Sequence, residues 1–439
     1  MTEIASSNAA MTHAPGTEKV AQTSAVASLI GTFIEWYDFY IYGIAAALVF
    51  NTLFFPSYDP TVGTILAFAT FAVGSIIRPI GGIVCGHYGD RVGRKKMLVF
   101  TLVLMGAATF LMGLLPSYEQ IGIWAAIMLI VLRMAQGFAF GGEWGGAVLM
   151  SVEHAPKERR GFYGSFPQYA SPIGNLVATG SFALLNFLPK DAFMSWGWRV
   201  PFLASAAFVI VGLIYRIRLL ESPEFLKVVQ KKEVARFPIA DAFRYDLKPM
   251  LVACGIILAT VVAFWVQMLF VVSYATQSAG LTRQTVLNAV LIGAAFELVL
   301  LPLCAILSDR IGRKPVALAG AIITALSAFP FFWLVDMGTF WSVTAAICLA
   351  MLGISPLYAV LPVYVSEMFG ARVRYSAISL SYTVASGVVG GITPALAASM
   401  YAWAGKPWPV ALYLVVIAGI TIVSILVAPS VSKQQEATT

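Results

Sequence analysis

Charge is scarce in this 439-residue sequence, where Asp, Glu, Lys and Arg together make up 11% of the chain. Soluble globular domains carry about 25%. Hydrophobic residues make up 59% and the mean hydropathy is +0.84. That leaves too little charge to cover the surfaces of the soluble domains such a length would form. Histidine is scarcer still: His13, His87 and His154 all lie outside the long apolar runs. A histidine relay at the centre of a membrane is thereby excluded. The four cysteines, Cys85, Cys254, Cys304 and Cys348, sit in or beside apolar runs without metal or redox spacing and read as packing residues. No HExxH, GxSxG or phosphate-loop pattern occurs, which argues against a membrane enzyme. No metal and no cofactor is expected. The first 25 residues lack the basic start of a cleaved signal peptide. They are expected to be a disordered tail.

What the sequence does contain is long apolar runs. A membrane helix needs about 20 mostly apolar residues. Twelve stretches qualify: 26–50, 61–85, 97–115, 121–148, 161–188, 200–219, 249–276, 285–307, 315–336, 340–362, 376–402 and 409–429. The expected fold is an all-α membrane protein with the lipid bilayer as its solvent. The formal net charge of +7 does not point to nucleic acid, because the basic residues fall in short clusters between apolar runs. With the N-terminus placed inside, 22 of the 28 Lys and Arg residues fall on the cytoplasmic side. Only Lys190, Arg199, Arg283 and Lys406 fall outside. This asymmetry predicts that both termini are cytoplasmic.

The chain also repeats itself. GHYGDRVGRKK (86–96) follows the second stretch, and AILSDRIGRKP (305–315) follows the eighth. Glu153 is followed seven residues on by Arg160, as Glu367 is by Arg374. Two parallel six-helix halves are expected, residues 26–219 and 249–429. A charged cytoplasmic linker over 220–248 joins them, and a short tail covers 430–439. Repeats of this kind with a site at their interface define a transporter architecture.

Ionisable side chains in a bilayer core are costly and so mark function. Six stand out: Glu35, Asp38, Arg78, Arg133, Glu143 and Glu297. At 1.5 Å per residue, Glu35 lies about 14 Å into its helix, and Arg133 and Glu297 about 18 Å into theirs. In EWYDFYIY (35–42), Glu35, Asp38 and Tyr42 share a helix face. Two carboxylates so close do not both ionise easily in a low dielectric, which suits a proton-coupling site. The alternative is a static salt bridge to Arg78 or Arg133. Arg133 presents a planar fork suited to an anion, with Gln136 one turn away. It serves either as substrate anchor or as partner to Asp38. Arg78 contacts substrate or the acids of the first helix. Glu297 is a second proton site or a paired polar residue, and Glu143 belongs to a structural charge network. Gln168, Trp265, Tyr358 and Tyr382 are candidates for the wall of a polar cavity, though aromatics in membrane helices also serve packing. The glycines of RMAQGFAFGGEWGG (133–146) are expected to permit close helix packing.

GHYGDRVGRKK resembles the loop signature of the major facilitator superfamily. In the second copy Ala305 stands where that signature has its leading glycine. IEWYDFYIYG (34–43), FAVGSIIRPIGG (71–82), RMAQGFAFGGEWGGA (133–147), MSWGWRVPF (194–202) and SEMFGARVRYS (366–376) resemble the metabolite:proton symporter family within it. The resemblance covers nearly the whole chain. It implies the major facilitator fold, twelve transmembrane helices in two pseudo-symmetric six-helix bundles, working as a monomer. It also implies proton-coupled import of a small organic acid, shikimate-like or another carboxylate, across a bacterial inner membrane by alternating access. A zwitterionic osmolyte such as proline or betaine is the alternative substrate. By the same resemblance Asp90 latches the cytoplasmic side, supported by Arg91, Gly93 and Arg94. Asp309, with Arg310 and Arg313, is its counterpart.

Overall fold

Lipid offers no partner to a backbone amide, so a spanning chain satisfies its own hydrogen bonds as helices or a closed barrel. This chain uses helices. The structure, a computed structural model, describes residues 15–56, 60–185, 187–231 and 237–428, and no strand occurs among them. The first half comprises α1 (Pro15–Ala45), α2 (Pro60–Val92), α3 (Arg94–Leu114), α4 (Ile123–Glu153), α5 (Phe166–Leu185) and α6 (Val200–Arg218). The second comprises α7 (Leu247–Phe264), α8 (Arg283–Ile311), α9 (Arg313–Asp336), α10 (Phe340–Ser366), α11 (Arg374–Thr383) and α12 (Trp408–Val427). Three rods run on through π-helical segments. Ala46–Phe50 follows α1, Trp265–Phe270 follows α7, and Val384–Gly390 follows α11 and leads into Gly391–Ala404. Such segments insert an extra residue per turn and often mark functional positions.

The turns between α2 and α3 and between α8 and α9 are single glycines, Gly93 (φ 118°) and Gly312 (φ 96°). Only a residue without Cβ takes that conformation readily. These two loops, the ends of α4, α6 and α10 and the start of α1 share one face of the molecule, here called the basic face. The linker on that face folds into two short helices, Pro223–Gln230 and Pro238–Tyr245.

Two expectations are corrected. Helix α1 begins at Pro15, inside the stretch expected to be a disordered tail. Ala21 and Ala25 are small enough to bury against Ala155 and Tyr163, and Glu18 pairs with Arg159 at 2.5 Å. The rest of that tail, residues 1–14, and the tail over 430–439 lie outside the described residues. Arg216, counted above among the solvated charges of the cytoplasmic side, is 1% exposed within α6. An ion pair described below makes that burial tolerable.

Candidate functional site

The site starts from glycines. A Cβ on Gly137 would meet the backbone of Gly74, and one on Gly81 that of Phe138. Helices α2 and α4 therefore lie backbone to backbone. That packing turns Arg78 and Arg133 toward α1. Glu35, Asp38, Phe39, Arg78, Arg133, Gln136 and Phe140 line one cleft with room for about one water. Four of the six charged residues predicted from the sequence are thus brought together.

They are partnered unequally. Asp38 accepts a hydrogen bond from the Thr109 hydroxyl of α3. Gln136 Nε2 donates to the same Thr109 oxygen at 2.5 Å, and Arg133 donates to Gln136 Oε1 at 2.9 Å. Arg133 also lies 4.1 Å from the centre of the Tyr42 ring, whose hydroxyl bonds to Thr70 at 2.5 Å. Arg133 thus reaches Asp38 through two side chains, Gln136 and Thr109. Arg78 sits 3.6 Å above the Phe140 ring. Its Nε and both carboxylate oxygens of Glu35 are buried without a hydrogen-bond partner.

Nearer the basic face, Glu143 takes a two-pronged ion pair from Arg216 and a hydrogen bond from Thr101 at 2.7 Å. The Arg216 guanidinium fills the space where Gly31 would carry a side chain. This is the structural charge network expected for Glu143, and Arg216 is its partner.

The proposed cavity wall divides. Gln168 accepts from Trp144 Nε1 within the first half and donates to the Tyr358 carbonyl of the second, both at 3.0 Å. Tyr382 stacks on Trp144 at 3.8 Å, joining α11 to α4. Trp265 lies 5.8 Å from Phe39. The hydroxyl of Tyr358 is buried and unpartnered. Glu297 is buried in α8 with Tyr40 and Tyr358 as electrostatic neighbours. It does not join the cleft.

Both signature aspartates reach across the seam. Asp90 accepts from Tyr375 N at 3.2 Å, and from Ser376 N and Oγ at 2.9 Å each. It caps the first turn of α11. Asp309 accepts from Gly161 N at 2.8 Å and Phe162 N at 2.9 Å, capping the short helix Arg160–Gly164 before α5. Carboxylates at helix N-termini satisfy orphan amides and the helix dipole together. Arg94 is fully buried and pairs with Glu153 at 2.7 Å, which in turn pairs with Arg374 at 2.8 Å. Ser222 of the linker also donates to Glu153, and Glu221 accepts from the backbone amides of Arg94 and Lys95. In the second half Arg313 pairs with its own neighbour Asp309 at 2.7 Å. No ion pair joins Glu367 to Arg313 or Arg160 among the described residues. Burial pushes the Glu367 carboxyl above its ordinary range, against the opposing pull of Arg313, Arg160 and Arg374. Arg91 and Arg310 are exposed and stand outside the latches.

Two bundles of six helices with paired capping loops on one face define a secondary transporter of the major facilitator fold. Residues 23–243 match the sugar (and other) transporter family, and residues 252–438 match the major facilitator superfamily. The chain belongs to the major facilitator superfamily and is a multi-pass membrane transporter. It is 43% identical to the shikimate transporter of Escherichia coli (strain K12), over 90% of this chain and 91% of that one. It is 41% identical to an inner membrane metabolite transport protein of the same organism, over 93% and 94%. The proline/betaine transporter of that strain is 34% identical, over 91% and 81%. Among solved structures, the proton:xylose symporter XylE bound to 6-bromo-6-deoxy-D-glucose superposes with a TM-score of 0.73. That match has 16% identity and covers 93% of this chain and 95% of that one.

Sequence reasoning missed Thr109, Arg216, Glu221 and Ser222. Thr109 lies in an apolar run where a hydroxyl carries no signal of its own. Arg216 stands at the end of such a run, where hydropathy reads a loop.

Proposed function

We propose that this transporter carries a small carboxylate, shikimate or a solute like it, together with a proton. One observation carries the reading. Two buried carboxylates and two buried arginines line a single cleft in the first half. A buried arginine suits the substrate anion, and a buried carboxylate suits the proton. Of the predicted site residues, Arg78, Arg133, Gln136 and Tyr42 would surround the solute, with Trp265, Tyr358 and Tyr382 on the facing half. Asp38 or Glu35 would take the proton, and Glu297 would serve a second, separate protonation. The basic face is the cytoplasmic face of a bacterial inner membrane, with both termini inside, and one chain suffices. Asp90 and Asp309 hold that face shut until the halves rock. The name of the 43% identical relative supports the choice of shikimate.

A second reading, a zwitterionic osmolyte such as proline or betaine, draws support from the aromatic lining of the cleft by Phe39 and Phe140, since such faces attract quaternary ammonium groups. Uptake into liposomes separates the two. The purified protein should accumulate shikimate or another carboxylate from a panel when the outside is more acidic, and a protonophore should abolish that accumulation. Accumulation of proline or betaine alone would establish the second reading. Carboxylate uptake indifferent to the pH gradient would sink proton coupling.

A further inference from the structure

The two charge pairs of the cleft are built differently. Asp38 and Arg133 are joined through Thr109 and Gln136, and Arg133 rests on the Tyr42 ring. Glu35 and Arg78 are 1% and 5% exposed, yet both oxygens of the one and the Nε of the other have no hydrogen-bond partner. Among the described residues no ion pair within 4 Å joins the two, although they line the same cleft. A guanidinium presents five donors in a planar fork. Burying it without an anion is costly. Two carboxylates can serve it in turn: that of Glu35 and that of a solute.

The position of Arg78 favours the solute. A Cβ on Gly387, in the π-helical segment of the opposite half, would lie 3.6 Å from the Cβ of Arg78. The adjacent Ser386 carries a buried hydroxyl without a partner. An anion held by Arg78 would lie at the seam between the halves, where alternating access needs its cargo.

We propose that Arg78, rather than Arg133, anchors the substrate carboxylate, and that Glu35 is its internal competitor. Ionised Glu35 holds Arg78, and protonated Glu35 releases it to the solute. This rests on the carboxylate:proton reading above and deepens it. One proton settles on Glu35 for each carboxylate that takes its place on Arg78, so the charge of the site is unchanged by loading. The groups facing Glu35 are Glu143 on α4, Arg216 on α6, Arg78 on α2, Asp38 on its own helix, Tyr382 on α11 and Tyr358 on α10. Glu143 and Arg216 neutralise each other by direct pairing. Asp38 belongs to the Arg133 network, and tyrosines are neutral near pH 7. Arg78 is left as the cation facing Glu35 that no other carboxylate claims.

Shikimate, succinate and benzoate binding to the purified full-length protein, from mildly acid to mildly alkaline pH, tests this. Wild-type affinity should fall as pH rises, approaching about tenfold per pH unit once Glu35 ionises. Glu35→Gln should bind without that slope and should exchange solute across liposomes without concentrating it. Arg78→Gln should weaken binding about a hundredfold at every pH. Arg78→Lys, which keeps the charge and loses the fork, should also weaken it while melting at the wild-type temperature. Arg133→Gln removing binding while Arg78→Gln retains it would overturn the proposal and leave carboxylate transport standing. So would a pH slope that Asp38→Asn flattens and Glu35→Gln does not. A wild-type protein that takes proline or betaine and none of the three acids would overturn both readings.

Discussion

Asp90 in the first half and Asp309 in the second do the same thing at matching places: each caps a helix of the opposite half. What surrounds them differs. Around Asp90 the buried Arg94, Glu153, Arg374 and the linker's Ser222 form one continuous network. Among the described residues, Arg313 alone pairs directly with Asp309, and Glu367 has no ion pair. The interiors differ in the same sense. The first half buries Glu35, Asp38, Arg78, Arg133, Glu143 and Arg216, whereas α12, the counterpart of α6, carries no charged residue. Duplication supplied a common scaffold and left one copy to hold most of the electrostatic work.

The largest effect should come from breaking the pair that the second half lacks. Arg216→Met leaves Glu143 buried without its cation and should destabilise the protein by about 3–5 kcal/mol, read as a drop in melting temperature in detergent. Glu143→Gln should recover much of that loss when added to Arg216→Met. Failure to recover it would show that the two act separately.

The two glutamates of the repeat come next, with opposite signs. Glu153→Gln removes a carboxylate paired with two arginines and should lower stability by about 3 kcal/mol. Glu367→Gln should be neutral or stabilising at neutral pH. A carboxyl whose folded pKa is raised binds its proton more tightly in the folded state, so ionisation destabilises it at high pH. The gain from Glu367→Gln should therefore shrink as pH falls and the wild-type side chain protonates. A gain that grows toward acid pH would contradict this sign.

Asp90→Asn keeps one acceptor oxygen and loses the charge facing α11, and should cost about 2 kcal/mol of closure. Asp309→Asn should cost about 1 kcal/mol, since two amides depend on it rather than three donors. Accessibility of a cysteine placed on the basic face would rank the two. Smallest is the glycine pair. Gly93→Ala should cost more than the roughly 1 kcal/mol of a positive φ alone, because its Cβ would also meet the Glu221 carboxylate. Gly312→Ala should cost about 1 kcal/mol, for there the nearest atom is Pro315 Cδ at 3.6 Å.

How much of this was legible depended on whether a residue violated its surroundings. Glu35, Asp38, Arg78 and Arg133 were visible because a charge within an apolar run has no bland explanation. Their convergence on one cleft rests on the face of α1 that Glu35 and Asp38 share and on the glycines that bring α2 and α4 together. Their division into a bridged pair and an unpartnered pair was not visible, because it turns on Thr109, a hydroxyl that blends into a membrane helix. The aromatic candidates were ambiguous for the same reason. Gln168, bonded to the Tyr358 carbonyl, and Tyr382, stacked on Trp144, prove to join the halves, and nothing in their sequence separations foretells it. The extension of α1 to Pro15 was hidden because alanine and serine suit a tail as well as a close helix contact.

The two signature aspartates make each bundle depend on the other for a helix cap. Two helices that begin at the basic face, α11 and Arg160–Gly164, take a carboxylate cap from the other bundle, and water can replace a carboxylate there. At about 2 kcal/mol for the Asp90 contacts and about 1 kcal/mol for those of Asp309, losing both costs about 3 kcal/mol, a bias on the order of a hundredfold. In the proposed cycle such a bias is small enough for a bound solute to reverse and large enough to favour the closed face of an unloaded carrier. In the proposed rocking of the halves, the Asp309 cap, which holds two amides where Asp90 holds three donors, is the one expected to release first.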